Sequence, residues 1–311
     1  MINLVVGGLG FVGTSLIKKM EKMKMNSLIV DVDVWGKGYS SIGNPLNFDV
    51  IKPTTMNWAE QCIGEIGNKP VRIWHLAANS DIAKASKNLK IDYELTLGST
   101  LEVLKVANNV DCASIEFTSS SAVYGNRIGG SKFKEEDPQN PISTYGVMKL
   151  ASEFLISIYA DRNRIPYHSY RLANIVGPNM THGLIFDLIN KLRSDSGELQ
   201  VLGDGRQRKT YLHVDDLVEF MIKASSLETS LTVNVGPVDE GLAVSEIVKM
   251  ILDQTDKDIT VKYEDKPYGW PGDVTDSVMD TSKLQEMRLI TPRSSEQSVR
   301  ESILARLHEN A

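Results

Sequence analysis

Ile2-Asn3-Leu4-Val5-Val6-Gly7-Gly8-Leu9-Gly10-Phe11-Val12-Gly13 opens the chain. The first five residues form a short apolar run, suited to a strand buried in a parallel sheet. Gly7, Gly10 and Gly13 then follow in G-x-x-G-x-x-G spacing, and apolar residues at 12, 16, 17 and 20 recur with a helical period. Strand, glycine turn and helix in that order let a backbone approach a pyrophosphate. Gly7 permits the tight turn, Gly10 the close approach, and Gly13 the packing of helix on strand. Phe11 and Val12 belong to the loop, and the helix expected over Thr14 to Met20 has its N-terminal end toward the phosphates. A glycine-rich turn that binds nothing shares the composition but lacks these flanks. The spacing also departs from the G-x-G-x-x-G of the usual dehydrogenase loop.

A second apolar run, Ser27-Leu28-Ile29-Val30, ends in Asp31, eighteen residues after Gly13. A carboxylate there can accept hydrogen bonds from an adenosine ribose and repels a 2′-phosphate. No arginine follows closely, and Lys37 is the nearest cation, so the expected cofactor is NAD rather than NADP. Asp33 could take the place of Asp31, and either could be a helix cap or loop residue.

Further along, Val71–Leu76 reads as a strand running into the small residues Ala77-Ala78, which leave room for a ligand at its carboxyl end. Leu97, Leu101 and Leu104 mark a helix, Ser114–Thr118 another strand, and Tyr167–Leu172 a later one. Strands alternating with helices predict an α/β fold with a doubly wound parallel sheet. After this the elements shorten and prolines 178, 237, 267, 271 and 292 appear. The expected division is a cofactor domain of 1–173 with 210–236, and a smaller, discontinuous α/β lobe of 174–209 and 237–311.

Tyr145 and Lys149 stand four apart in Ser-Thr-Tyr-Gly-Val-Met-Lys and share a helix face. A buried ammonium there is expected to pull the phenol down from about 10 toward neutrality. That would make it a general acid and base. Isolated, the spacing also fits a solvated helix face. Here Ser119-Ser120-Ser121-Ala122-Val123-Tyr124-Gly125 lies upstream and the glycine loop opens the chain.

Composition bounds the rest. With 41% hydrophobic and 24% charged residues the chain reads as a soluble globule, and a net charge of −6 argues against nucleic acid as partner. Cys62 and Cys112 alone predict a reducing compartment without disulfides. The start is strand and glycine loop, not a leader peptide, and no run is long enough for a membrane span. The expectation is a cytoplasmic protein. Histidines 75, 168, 182, 213 and 308 lack ligand spacing, so no metal site is expected.

Taken together, the chain resembles the extended short-chain dehydrogenases/reductases, especially the NAD-dependent sugar-nucleotide epimerases typified by UDP-glucose 4-epimerase. The matching elements are the glycine loop, Asp31, Asp49-Val50, His75-Leu76-Ala77-Ala78, the serine run through Val123-Tyr124-Gly125, and Tyr145-x-x-x-Lys149. Arg171-x-x-Asn174, Gly203-Asp204-Gly205-Arg206-Gln207, His213-Val214-Asp215-Asp216 and Trp270-Pro271-Gly272-Asp273 extend the match. The segment from Met180 to Leu217 looks most like the short archaeal-type 4-epimerases. The resemblance implies a Rossmann-type sheet, tightly held NAD, a nucleotide-diphosphate sugar with a UDP-sugar foremost, and a homodimer through helices at about 96–108 and 145–160. It implies Ser120, Tyr145 and Lys149 as catalytic residues, with Ser121 beside them. Asp49 and Val50 would meet the adenine, Leu76, Ala77 and Ala78 would line the cofactor crevice, and Asn174 would touch the substrate near its phosphates.

The departures bear on the substrate. Thr96 replaces an asparagine on the cofactor side, Lys209 an arginine of the Gly-x-Gln-x-Arg motif, and Trp270 an arginine that commonly grips the diphosphate. Arg206, Arg208, Lys262 and Lys266 are candidate substitutes, and Trp270 is a candidate stacking or packing residue. Ser121 and Ala122 stand where the related 4,6-dehydratases carry Asp-Glu, so the acid and base for water loss are missing.

Overall fold

The structure, a computed structural model, describes residues 1–31, 50–51, 57–79, 88–126, 131–193, 197–255 and 258–309. Asp33, Lys37 and Asp49 lie outside the described residues, as does the side chain of Val50.

Seven strands make the main sheet. They are β1 (Ile2–Val6), β2 (Ser27–Val30), β3 (Val50–Ile51), β4 (Val71–His75), β5 (Cys112–Ser120), β6 (Tyr167–Leu172) and the strand Leu231–Val235. Their spatial order is Leu231–Val235, β6, β5, β4, β1, β2, β3, and every pairing is parallel. From β1 the chain winds one way to β2 and β3, then returns to build β4, β5 and β6 on the other side. The reversal lies between β1 and β4, and the crevice beyond their carboxyl ends is where such sheets take ligands.

Apolar residues along these strands are buried on both faces and divide by parity. Val5, Ile29, Trp74, Tyr170 and Val233 pack with helix α1 (Phe11–Lys22) and the helix Val214–Ala224. Leu4, Val6, Leu28, Val30, Ile73, Ile115 and Phe117 face the helices Ala59–Ile66, Ser99–Ala107 and Thr144–Asn163. A third core joins Val176, Ile185, Leu188, Leu199, Tyr211, Ile247 and Val299. It lies beneath small sheets in which Asn174–Val176 pairs with Tyr211–His213 and Glu198–Val201 with Thr260–Tyr263.

The helix expected near 96–108 is interrupted. Leu89–Asp92 is α-helical, Tyr93–Gly98 opens into a π turn, and Ser99–Ala107 resumes the α-helix. The helix Thr144–Asn163 is continuous. Ser143 caps it by accepting a hydrogen bond from Gly146 N at 3.1 Å, and Arg164 ends it in the left-handed conformation with φ 55°.

Candidate active site

The glycine loop behaves as a cradle. Gly7 has φ +84°, and a Cβ there would sit 2.7 Å from Ala77 N, so only glycine lets the end of β1 meet the end of β4. A Cβ at Gly13 would come within 2.3 Å of Gly7 O, which holds α1 against the loop. A Cβ at Gly10 would meet only Gly7 O, at 3.3 Å. Its outer side is therefore clear of the described residues. Gly10 also caps α1 without a side chain, and no acid occupies the first turn at Phe11 and Val12. Open space, a helix N-terminus and an unscreened dipole fit the pyrophosphate of a dinucleotide. Asp31 ends β2, and its Oδ2 accepts from Leu9 N at 2.7 Å, so this carboxylate also braces the loop.

β5 delivers Ser120 to the same end of the sheet. Its Oγ accepts from Ala122 N at 3.2 Å, starting the short turn Ser121–Val123, and Ser120 stands close enough to the Tyr145 phenol to ease its ionisation. Ser121 is buried in that turn, and Ser119 Oγ is buried without a partner among the described residues. Lys149 is buried one turn along from Tyr145. Its Nζ donates to Thr118 O at 2.6 Å and lies 5.8 Å from the Tyr145 ring centroid. The three expected catalytic side chains are thus assembled. Their electrostatics differ from the expectation. Burial lowers Lys149 to about 7, opposed by Glu153. Burial also pushes Tyr145 up to about 12, eased by Ser120 and reinforced by the charge of Asp92. Desolvation dominates, so the protein's own groups favour phenol over phenolate.

Sequence reasoning missed the polar floor beneath this cluster. Leu76, Ala77 and Ala78 are half-buried and lead from the end of β4 to Asn79, whose backbone N donates to Thr96 Oγ1 at 3.2 Å. Asn79 Nδ2 donates to Asp92 Oδ1 at 2.8 Å, and Thr144 Oγ1 donates to Asp92 Oδ2. His75 is buried below Lys149 with Nε2 on Thr100 Oγ1 at 2.8 Å. Burial and then the Lys149 ammonium push it well below the usual imidazole range. The one sequence cue was spacing, since Asp92 precedes Thr96 by a helical turn.

The turn at 270–275 reaches this site from a distant part of the chain. A Cβ on Gly272, at φ +88°, would sit 3.1 Å from Ile142 O and 3.3 Å from Ser143 Cβ, at the start of the Tyr145 helix. Thr275 N donates to Asn126 Oδ1 at 3.1 Å, just past Tyr124-Gly125. Asn174 is placed by β-pairing, with its Nδ2 on Thr210 O at 3.2 Å. Lys209, expected as a phosphate-gripping cation, is ion-paired within the protein. Its Nζ donates to Asp273 Oδ1 at 2.7 Å, with side chains 16% and 4% exposed, and its charge is balanced there. Asp273 Oδ2 takes Gly269 N at 3.0 Å, and the ammonium lies 5.3 Å from the Trp270 ring centroid. Trp270 Nε1 is buried without a partner among the described residues. Of the substitutes, Arg208 holds Gly241 O and Glu246 while Lys262 pairs with Glu198; Arg206 is 89% exposed, and Lys266 is also exposed. Lys209→Ala should therefore cost about 3 kcal/mol by stranding a buried carboxylate, measured by urea unfolding; unchanged stability would contradict the pairing.

Among the described residues, no group of three His, Cys, Asp or Glu side chains could hold a metal, and no helix is long and apolar enough to cross a membrane.

Comparison with known proteins places the chain. The family model described as the NAD dependent epimerase/dehydratase family matches residues 3–236. A Bacillus subtilis (strain 168) protein, named Uncharacterized UDP-glucose epimerase YtcB, is 25% identical, covering 94% of this chain and 93% of its own. A UDP-N-acetyl-alpha-D-glucosaminuronate decarboxylase from Bacillus cytotoxicus is 27% identical over 96% of each chain. A crystal structure of UDP-galactose 4-epimerase is 27% identical and superposes with a TM-score of 0.84, covering 100% of this chain and 99% of its own. The family's pattern runs from the glycine cradle through the last strand of the main sheet, and this chain belongs to the NAD dependent epimerase/dehydratase family, with NAD as its cofactor.

Proposed function

We propose that this chain is an enzyme that epimerises a nucleotide-diphosphate sugar at C4, with UDP-sugars as the first substrates to test. The observation that carries the reading is the convergence of Ser120 and Tyr145 beside a buried Lys149 and next to the glycine cradle. Gly7, Gly10, Phe11, Val12 and Gly13 would hold the pyrophosphate of NAD and Asp31 an adenosine ribose. Asp49 and Val50 would meet the adenine. Leu76, Ala77, Ala78, Thr96, Tyr145 and Lys149 would line the nicotinamide end. NAD, when bound, accepts a hydride from the sugar carbon and gives it back.

The protein moves the proton. Ser120 holds the C4 oxygen, and Tyr145 in its phenolate form takes the hydroxyl proton as the C–H electron pair leaves, giving a planar 4-keto sugar. Tyr145 then returns that proton to the oxygen when the C–H bond re-forms on the opposite face. Ser121, Asn174 and Trp270 border the space through which the sugar would turn, and Lys209 would orient Trp270 through Asp273. Among neighbours, MoeE5 has been solved with UDP-glucose and NAD, in keeping with this substrate class. Substrate deuterated at C4 should yield an epimer labelled at C4, read by NMR without added NAD. Loss of label to solvent, or release of CO₂ from a UDP-uronic acid, would replace epimerisation with the chemistry named for the decarboxylase relative.

The same reading assigns residues 1–173 with 210–236 to the cofactor domain, the rest to a substrate lobe, and the protein to the cytoplasm. It also includes a homodimer. Tyr93, Leu101, Val147, Phe154 and Ile158 are 46% to 56% exposed on the two helical segments expected to pair. Such a run of large apolar side chains suits burial against a second copy. Phe154→Glu should yield monomers by light scattering, and an unchanged mass would place the contact elsewhere.

A further inference from the structure

We propose that Asp92 is a positioning residue for Tyr145: it ties the first turn of the Tyr145 helix to the floor of the cofactor crevice and presents a negative charge to the phenol. The inference rests on the acid–base reading of Tyr145. Asp92 is 0% exposed, and its two oxygens accept from Asn79 Nδ2 and Thr144 Oγ1. Both donors are neutral, and no cation among the described residues pairs with this carboxylate. Burying a charge without a counter-charge is costly, so its place here calls for a reason beyond packing.

The two donors supply one. Asn79 directly follows Leu76-Ala77-Ala78 and is pinned at its backbone by Thr96 Oγ1. Thr144 directly precedes Tyr145 in the first turn of its helix. One carboxylate therefore links the end of β4 to the turn that aims the phenol. Without that link, the Thr144–Tyr145 turn could move relative to Ser120 on β5.

The charge has a separate effect. The groups that face Tyr145 are Ser120 from β5, Lys149 from its own helix and Asp92 from Leu89–Asp92. His75 from β4 is neutral and lies near Lys149, and Glu153 is paired with Arg171. Asp92 is thus the anion named among the forces on Tyr145, and it raises the phenol. A negative neighbour disfavours phenolate, so Asp92 makes Tyr145 a stronger base once ionised and a weaker acid when protonated.

Asp92→Asn separates charge from geometry. Its carbonyl can still accept from Asn79, and its amide can donate to Thr144 Oγ1 in place of the present bond. Tyr145 ionisation is read directly by ¹³C NMR of ring-labelled tyrosine in the NAD-loaded protein, with the signal assigned by its loss in Tyr145→Phe. Asp92→Asn should lower the Tyr145 midpoint by on the order of one pH unit. The rising limb of the kcat–pH profile should move down by the same amount, because phenolate forms at lower pH. A midpoint unmoved in folded Asp92→Asn overturns the proposal. A midpoint that moves while the kcat limb stays supports Asp92 and overturns Tyr145 as the kinetic base. Should Asp92→Asn fail to fold, Thr144→Val cuts the tie from the other side; kcat should fall about tenfold or more with KM little changed, and an unchanged kcat overturns the proposal.

Discussion

Tyr145→Phe should lower kcat by about 10²–10⁴-fold while KM for the sugar nucleotide stays close to the parent value. The substitution removes one oxygen. The ring keeps its place on the Thr144–Asn163 helix, Lys149 keeps its bond to Thr118 O, and the cradle is untouched. What disappears is the acid–base group that stands beside Ser120. Removing a group that acts only in proton transfer lowers kcat and kcat/KM together. Ser120→Ala should act on the same step with a smaller loss, since the phenol remains. Steady-state kinetics on the substrate found by the C4-label experiment provide the measurement. A Tyr145→Phe enzyme within about tenfold of the parent kcat would remove this residue from the chemistry.

Gly10→Val should abolish NAD binding in a protein that still folds, whereas Gly13→Val should lose both binding and fold. The two glycines look alike in sequence and differ in what surrounds them. Gly10 has φ −72° and ψ 174°, a conformation open to any residue, and its Cβ position meets only Gly7 O at 3.3 Å. Valine there adds bulk on the side where the pyrophosphate would approach. At Gly13 a Cβ would strike Gly7 O at 2.3 Å and Gly8 Cα at 2.7 Å, backbone that cannot yield without separating α1 from the sheet. Titration with NAD alongside circular dichroism distinguishes the two. Full NAD affinity in folded Gly10→Val would place the pyrophosphate elsewhere.

What could be read from sequence follows from where the determining forces lie. β1, β4 and β6 are contiguous apolar or mixed runs whose burial is local in origin, and they fall where the pattern put them. Ser120, Tyr145 and Lys149 sit in motifs that fix their spacing along the chain, and they meet as expected. The electrostatics were not legible, because spacing reports a neighbouring lysine and says nothing of desolvation. Lys209 and Asp273 are 64 positions apart, and their pairing depends on a small sheet in which Arg208–Lys209 lies between Leu242–Ala243 and Asp276–Ser277. Asn79, Asp92 and Thr144 each read alone as an ordinary cap or loop residue. Only tertiary structure brings them to one point.

The π turn at Tyr93–Gly98 bears on how this stretch could have changed length over evolutionary time. A π turn closes with i→i+5 bonds, so it holds one residue more than the α-helical turn it interrupts. The following helix is locked by Val103, Val106 and Ala107 in the sheet's core, and cannot rotate to absorb a change. Deleting a single residue between 93 and 98 would remove that surplus residue and restore a regular helix with its two flanks still in phase. Asp92 would keep its face toward Asn79 and Thr144, and the sheet, the glycine cradle and Lys149 would stay as they are. One codon can therefore leave this turn without unmaking the fold or parting the Tyr145 helix from the end of β4, and indels here are a route by which descendants of one scaffold change length before they change shape.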